Sequence, residues 1–200
     1  MRFGITDGDK RLLVSRMPEF RTAVETIKLE PFEYGGDLFC DLAHSIVSQQ
    51  LAVRAAEAVF GRVKALPGGL TPENLLAVDT KTLRSCGLSA RKVEYLRGIA
   101  QAALAGELDG ARLAQMANPE VIDSLVRLKG VGVWTAEMLL IFCFGRRDVL
   151  STADLGVRRG LEILLGRTGF TPEELAEIRR RVSPCGTLAS LYLWRIRDSR

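Results

Sequence analysis

The sequence predicts an all-α fold, and three observations predict it. From Asp37 to Leu66 the run LFCDLAHSIVSQQLAVRAAEAVFGRVKAL repeats apolar residues at spacings of three and four, with no period-two stretch of any length. Helix starts recur along the chain, marked by capping residues and, at Thr71, Asn118 and Thr171, by a following Pro-Glu. The connections are short, and no internal repeat, low-complexity tract or Pro/Ser/Gly-rich linker interrupts them, as in a compact helical fold.

Taken in order, the elements follow from local chemistry. Thr71-Pro72-Glu73-Asn74 opens a short helix, with Thr71 as N-cap and Pro72 at the first helical position, where its missing N–H costs nothing. Gly87 ends the next helix. Ser89 caps a longer one through ARKVEYLRGIAQAAL, which stops at Gly106. Asn118-Pro119-Glu120 opens another. VIDSLVRL and VWTAEMLLIFCF are two helical stretches joined by Lys129-Gly130-Val131-Gly132. Asp154 stands before the helix LGVRRGLEILL as its natural N-cap, and Thr171-Pro172-Glu173-Glu174 forms a capping box for a late helix.

Bulk composition sets the class. At 200 residues the chain suits one domain or two small lobes, and 47% hydrophobic with 26% charged residues is an ordinary soluble globular balance. The longest apolar run, Met138 to Phe144, is too short to span a bilayer, and the N-terminus has no apolar signal core. The expected location is cytoplasmic, away from membranes. Cys40, Cys86, Cys143 and Cys185 lack the close spacing of a zinc or iron–sulfur site, so they are expected to be reduced thiols packed in the fold. Net charge is +4 with a pI near 9.0. From residue 141 to 200 there are eleven arginines against seven carboxylates and no lysine, so the whole excess lies there. That asymmetry points to an anionic partner such as nucleic acid, although Arg179-Arg180-Arg181 also reads as one solvated helix face.

The hairpin carries the first chemistry. Two glycines in a four-residue turn let backbone take angles that other residues avoid. The helix that follows begins with N–H groups outside its own hydrogen-bond ladder and with the positive end of its dipole behind them. This makes a phosphate site from backbone alone, one that binds DNA or RNA without reading sequence. The same pattern also describes an ordinary αα-hairpin with a glycine C-cap.

The run L-K-G-V-G-V-W-T-A (Leu128 to Ala136), then Asp148-Val149 and Asp154, resembles the helix-hairpin-helix–Gly/Pro–Asp (HhH-GPD) superfamily of base-excision DNA glycosylases. Within it the chain is most similar to the AlkA-like 3-methyladenine DNA glycosylases. A second block, Ser45-Ile46-Val47-Ser48-Gln49-Gln50-Leu51, resembles the family's I-x-x-Q-Q/Q-L segment, which enters the minor groove beside the target nucleotide. The two blocks and their helical surroundings cover roughly residues 37–200. The resemblance implies a single domain over 1–200 with two helical lobes, one over 37–127, the other combining 1–36 with 128–200. Its active site lies in the cleft between lobes.

What the resemblance implies about function is correspondingly specific. The chain would flip an alkylated purine of the 3-methyladenine type out of double-stranded DNA and hydrolyse its N-glycosidic bond, leaving an abasic site for base excision repair. Asp154 would be the catalytic carboxylate, stabilising positive charge that develops on the sugar or deprotonating the attacking water. Capping and catalysis coexist at that residue. Trp134 and Met138 would line the base pocket. The indole face attracts a cationic base by about 0.5–2 kcal/mol, although a tryptophan there would also suit the core. DNA contacts are expected at Gln49, Gln50, Leu51, Lys129, Gly130, Val131, Gly132 and Thr135. Gln50 and Leu51 are the favoured wedge, and the alternative is a polar helix end with one core leucine.

Bifunctional relatives carry a lysine where this chain has Trp134, and iron–sulfur relatives carry four close C-terminal cysteines where it has only Cys185. Both differences imply a monofunctional enzyme with no lyase activity, no iron–sulfur cluster and no organic cofactor. A monovalent cation, Na⁺ or K⁺, is expected at the hairpin carbonyls of Leu128 and Gly130, and the chain is expected to be a monomer. Two rivals remain at this point. One is a monofunctional glycosylase for uracil, deaminated or mismatched bases; the other is a non-catalytic helix-hairpin-helix DNA-binding module.

The chain also departs from the family. It is too short for the extra β-rich N-terminal lobe of larger members. The family's P-W-R-S is Pro184-Cys185-Gly186-Thr187 here, ahead of Leu191-Tyr192-Leu193-Trp194, which unsettles the far pocket wall and with it the base preference. His44, the one histidine, reads as a surface or satisfied residue that lies near the glutamine pair. Ser89-Ala-Arg-Lys92 matches S-x-x-K by chance, without a partner motif. Glu33 and Asp37 are within reach of the site in principle, and nothing local demands them.

Overall fold

A computed structural model describes residues 1–199, and the all-α expectation holds. Thirteen α-helices are present among the described residues: α1 (Asp7–Arg16), α2 (Arg21–Thr26), α3 (Leu38–Ser48), α4 (Val53–Lys64), α5 (Pro72–Ala77), α6 (Thr80–Ser85), α7 (Ala90–Leu104), α8 (Gly110–Gln115), α9 (Asn118–Leu125), α10 (Val133–Phe142), α11 (Leu155–Leu165), α12 (Pro172–Val182) and α13 (Gly186–Asp198). Periodicity did not reveal one antiparallel pair, Arg2–Phe3 (β1) with Phe32–Glu33 (β2). Two-residue strands are too short for alternation to show. None of the described helices is long and apolar enough to cross a membrane.

The caps sit where local chemistry puts them. Thr71, Ser89 and Thr171 accept from Asn74, Lys92 and Glu174 N–H respectively, and the Thr171 box closes through Glu174. Each such cap contributes about 1 kcal/mol. Gly87 and Gly106 lie in the left-handed region just past α6 and α7.

Two compact units divide the chain, residues 1–35 with 140–200, and residues 36–139. The hairpin, expected in the same lobe as Asp154, groups instead with 36–139. Its contacts explain this. Gln49 Nε2 donates to the Gly130 carbonyl at 2.7 Å, and the Tyr95 ring lies against Gly130. The division falls within α10, after Leu139.

In the unit of residues 36–139, α7 is the central helix and packs against α3 and α5. Its Val93, Leu96, Ile99 and Ala100 are buried, along with Leu42, Ala43, Ile46 and Val47 of α3. The α3 positions belong to the predicted three-and-four stripe of residues 37–66, and burying one of the larger aliphatic side chains contributes about 1.5–3 kcal/mol.

In the unit of residues 1–35 and 140–200, α11 and α13 form the main contact, with Leu13, Met17, Phe20, Leu150, Val157, Leu161, Val182, Tyr192 and Leu193 in the core. Gly156 and Gly160, one helical turn apart on α11, let α13 come close. A Cβ at Gly160 would stand 2.3 Å from the Leu193 carbonyl oxygen, and one at Gly156 would stand 2.8 Å from Trp194 Cδ1. The start of α13 is held by Asp148, whose Oδ1 accepts from Gly186 N–H at 3.0 Å and whose Oδ2 accepts from Ser183 Oγ at 2.6 Å. Thr187 and Ser190, both buried, donate to the carbonyls of Arg146 and Val149.

Candidate functional site

Within residues 36–139 the hairpin is built as expected. Gly130 takes φ +86°, and a Cβ there would meet the Tyr95 ring at 2.3 Å, so both conformation and space require glycine. Gly132 has nothing within 4 Å of its Cβ direction, which leaves its backbone open to close approach. The Val131 N–H donates to the Leu128 carbonyl, and Ala136 N–H to the Gly132 carbonyl, the bond that starts the α10 ladder.

The predicted contact residues do not all present side chains. Val131 and Thr135 are buried, at 5% and 4% exposure, because they lie on the inward side of the hairpin and of α10. Any DNA contact from them is through backbone. Trp134 is 45% exposed and so is not a core residue, while Met138 is half-buried on the same helix. Lys129 is exposed and pairs with Glu94 at 3.0 Å, a bond that raises its ammonium above the ordinary lysine value.

The Gln-Gln-Leu segment is the link between α3 and α4. Gln49 turns inward to the Gly130 carbonyl, whereas Gln50 and Leu51 are exposed. Leu51, at 38% exposure, is thus no core leucine. Gln50 takes φ +58°, uncommon for a residue with a Cβ. Lys92 donates to the carbonyls of Val47 at 2.6 Å and Gln49 at 2.7 Å. The chance reading of S-x-x-K therefore gave no hint of its role. Burial pushes the Lys92 ammonium below its ordinary value. His44 is satisfied by Glu57 at 2.9 Å and sits edge-on to Phe60.

Within residues 1–35 and 140–200, Asp154 is the N-cap of α11, accepting from Val157 N–H at 2.7 Å. Its Oδ1 also accepts from the Trp194 indole N–H at 2.8 Å. Trp194 stacks on Phe142 with ring centroids 5.9 Å apart, and Phe142 tilts against Phe32 at 5.3 Å. A cavity of about 230 Å³ opens beside this aromatic group, lined in part by Leu29, Phe32, Phe142, Leu191 and Trp194. A half-buried carboxylate fixed by two N–H donors next to aromatic faces can stabilise a nearby cation. In sequence Trp194 is legible only as the end of Leu191-Tyr192-Leu193-Trp194, and nothing in that run marks it as the partner of Asp154.

Other predicted positions have structural explanations. Cys185 lies in the unit's core, and Gly186 packs against Asp148 and Val149, where a Cβ would come within 2.8 Å. Gly186 is about 12 Å along α13 from Trp194 by the helical rise of 1.5 Å per residue. Glu33 is engaged by the N-terminal ammonium at 3.9 Å, and Asp37 caps α3. Cys86, Cys143 and Cys185 are buried and Cys40 partly so.

Comparison with known proteins fits this geometry. Residues 43–185 match the model of the HhH-GPD superfamily base excision DNA repair proteins. A Schizosaccharomyces pombe relative named DNA-3-methyladenine glycosylase 1 is 35% identical over 198 residues, covering 96% of this chain and 83% of its own. The solved structure of a DNA-3-methyladenine glycosidase from Bacillus halodurans superposes with a TM-score of 0.87 at 34% identity, over 100% of this chain and 93% of that one. A Schizosaccharomyces pombe 3-methyladenine DNA glycosylase in complex with abasic DNA gives a TM-score of 0.80 at 31% identity, over 94% and 95%. With its glycine hairpin, its capping aspartate and more than half its length matched, the chain belongs to the HhH-GPD superfamily of base excision DNA repair proteins.

Proposed function

We propose that this protein is a monofunctional DNA glycosylase that releases alkylated purines of the 3-methyladenine type from double-stranded DNA by hydrolysing the N-glycosidic bond. The observation that carries the reading is Asp154, whose carboxylate is oriented by Val157 N–H and the Trp194 indole. The names of the Schizosaccharomyces pombe and Bacillus halodurans proteins support the substrate class, and the abasic DNA in the Schizosaccharomyces pombe complex supports the product.

The chemistry follows from the leaving group. An alkylated purine is already cationic, so its bond to the sugar breaks with little acid assistance, and positive charge passes to the sugar ring. Asp154 stabilises that charge and accepts a proton from the attacking water. The backbone of Gly130 to Gly132 takes a phosphate, Gln50 and Leu51 fill the gap left by the flipped nucleotide, and Trp134 with Met138 contacts the base. Trp134 has no amine with which to attack the sugar, so strand cleavage through a Schiff base is not expected.

The carbonyls of Leu128 and Gly130 each accept one N–H bond, leaving a second lone pair that suits a hard monovalent cation. Such an ion would add positive charge beside a bound phosphate.

The test is release of free base from methylated duplex DNA by the wild type and Asp154→Asn, with strand breaks scored before and after alkali. Release of 3-methyladenine with breaks only after alkali, lost in the variant, is the expected result. Breaks without alkali would overturn the monofunctional assignment. Undiminished release by Asp154→Asn would remove Asp154 from the chemistry.

A further inference from the structure

The link between α3 and α4 is four residues long and turns through a Leu51 N–H bond to the Ser48 carbonyl, and Gln50 within it is the one non-glycine with positive φ among the described residues. A residue with a Cβ stays in that region only when its surroundings hold it there. What holds it is visible. The Lys92 ammonium reaches from the first turn of α7 to two carbonyls at the end of α3, those of Val47 and Gln49. These are the groups a helix end leaves without an intrahelical partner, at the negative end of its dipole. One turn further along α7, Tyr95 packs against Gly130, and the Gln49 side chain ties the link to the Gly130 carbonyl. Three residues apart, Lys92 and Tyr95 share a face of α7. A single helix thus supports both the exposed Gln50–Leu51 tip and the hairpin.

We propose that Lys92 is the positioning residue of the nucleotide-displacing turn. Its ammonium clamps the Val47 and Gln49 carbonyls so that Gln50 and Leu51 are presented already ordered, at a set distance from the Gly130–Gly132 hairpin. The role rests on the base-flipping reading given above. Opening a base stack costs free energy, and a loose turn would add the cost of its own ordering at the same moment. An ordered turn does not. Lys92 spends its ammonium on main-chain carbonyls, so its loss should fall on displacement of the nucleotide rather than on phosphate binding.

The experiment compares wild type, Lys92→Met and Lys92→Arg on two duplexes. Each carries, at one site, the methylated purine that the wild type releases fastest from methylated DNA. In the first duplex the lesion faces its pairing base; in the second it faces a baseless spacer, so that little pairing is left to break. Single-turnover release by Lys92→Met should fall about 10- to 100-fold on the paired duplex, the loss expected for a charged hydrogen-bonding group. On the unpaired duplex the fall should stay below about 3-fold, because displacement there is cheap. Lys92→Arg, which keeps charge and donors, should recover most of the paired-duplex rate. Equal losses on both duplexes would indicate a general structural role and overturn the proposal, as would no loss at all. If Lys92→Met melts too low to assay, Lys92→Gln takes its place and the same contrast between duplexes decides. Wild-type protein that releases no base would sink the glycosylase reading itself. Wild-type release matched by Lys92→Met on the paired duplex would overturn only the role given to Lys92.

Discussion

Trp194 Nε1 lies 2.8 Å from Asp154 Oδ1, a bond between residues forty positions apart that turns a helix cap into an oriented carboxylate. It exists because Gly156 and Gly160 let α13 lie close on α11. Trp194→Phe keeps an aromatic face against Phe142 and removes only the donor. A hydrogen bond to a charged group contributes about 1.5–3 kcal/mol, so kcat for base release should fall roughly 10- to 100-fold. DNA affinity, read by fluorescence anisotropy, should hold. A change in KM alone would make the indole a binding surface with no hold on the carboxylate.

Asp154 has two duties, and substitutions separate them. Asparagine caps a helix about as well as aspartate, so Asp154→Asn should melt within a few degrees of wild type while base release collapses. Asp154→Ala loses the cap as well and should cost about 1 kcal/mol of stability. Calorimetry alongside the release assay checks both. An Asp154→Asn protein destabilised as much as Asp154→Ala would mean the cap depends on charge more than on the acceptor oxygen.

Much of this was legible because it is local. Thr71, Ser89, Thr171 and Asp154 cap helices through N–H groups three residues away, and such bonds follow from sequence order alone. The glycine hairpin is local too. What escaped is tertiary. Trp194 meets Asp154 only once α11 and α13 cross, and Lys92 meets Val47 across a spacing of 45 residues. Nothing in Gln50 announces a left-handed backbone, because no glycine marks it. Thr135 belongs to the hairpin motif, yet its burial depends on which face of α10 packs inward, and α10 is apolar nearly all round.

Glu94 restrains a positive charge beside the hairpin. It pairs with Lys129 at 3.0 Å with both side chains largely exposed, so water and salt screen the pair and it adds little to stability. Its consequence is for DNA. Glu94→Gln removes a negative charge next to an expected phosphate contact and frees the Lys129 ammonium. Affinity for duplex DNA at low salt should rise by roughly 2- to 5-fold, and the slope of log K against log salt should steepen by up to about one unit. Titrations at several salt concentrations read both quantities. Unchanged affinity and slope would place Lys129 away from the phosphates.

The two hairpin glycines answer different demands, and alanine at each should fail differently. Gly130→Ala must hold φ +86°, which costs an L-residue about 1–2 kcal/mol, and must drive its Cβ into the Tyr95 ring 2.3 Å away. Overpacking of that kind costs about 1–3 kcal/mol more, so the melting temperature should drop clearly and DNA binding should weaken with it. Gly132→Ala meets nothing within 4 Å, so its stability should stay within about 0.5 kcal/mol of wild type. If a phosphate approaches that backbone, the added methyl group obstructs the anion and affinity falls without any change in melting. Thermal melts paired with anisotropy on both variants make the distinction. A Gly132→Ala protein that binds duplex DNA as wild type does would move the phosphate away from Gly132 and leave Gly130 as a glycine required by the fold alone.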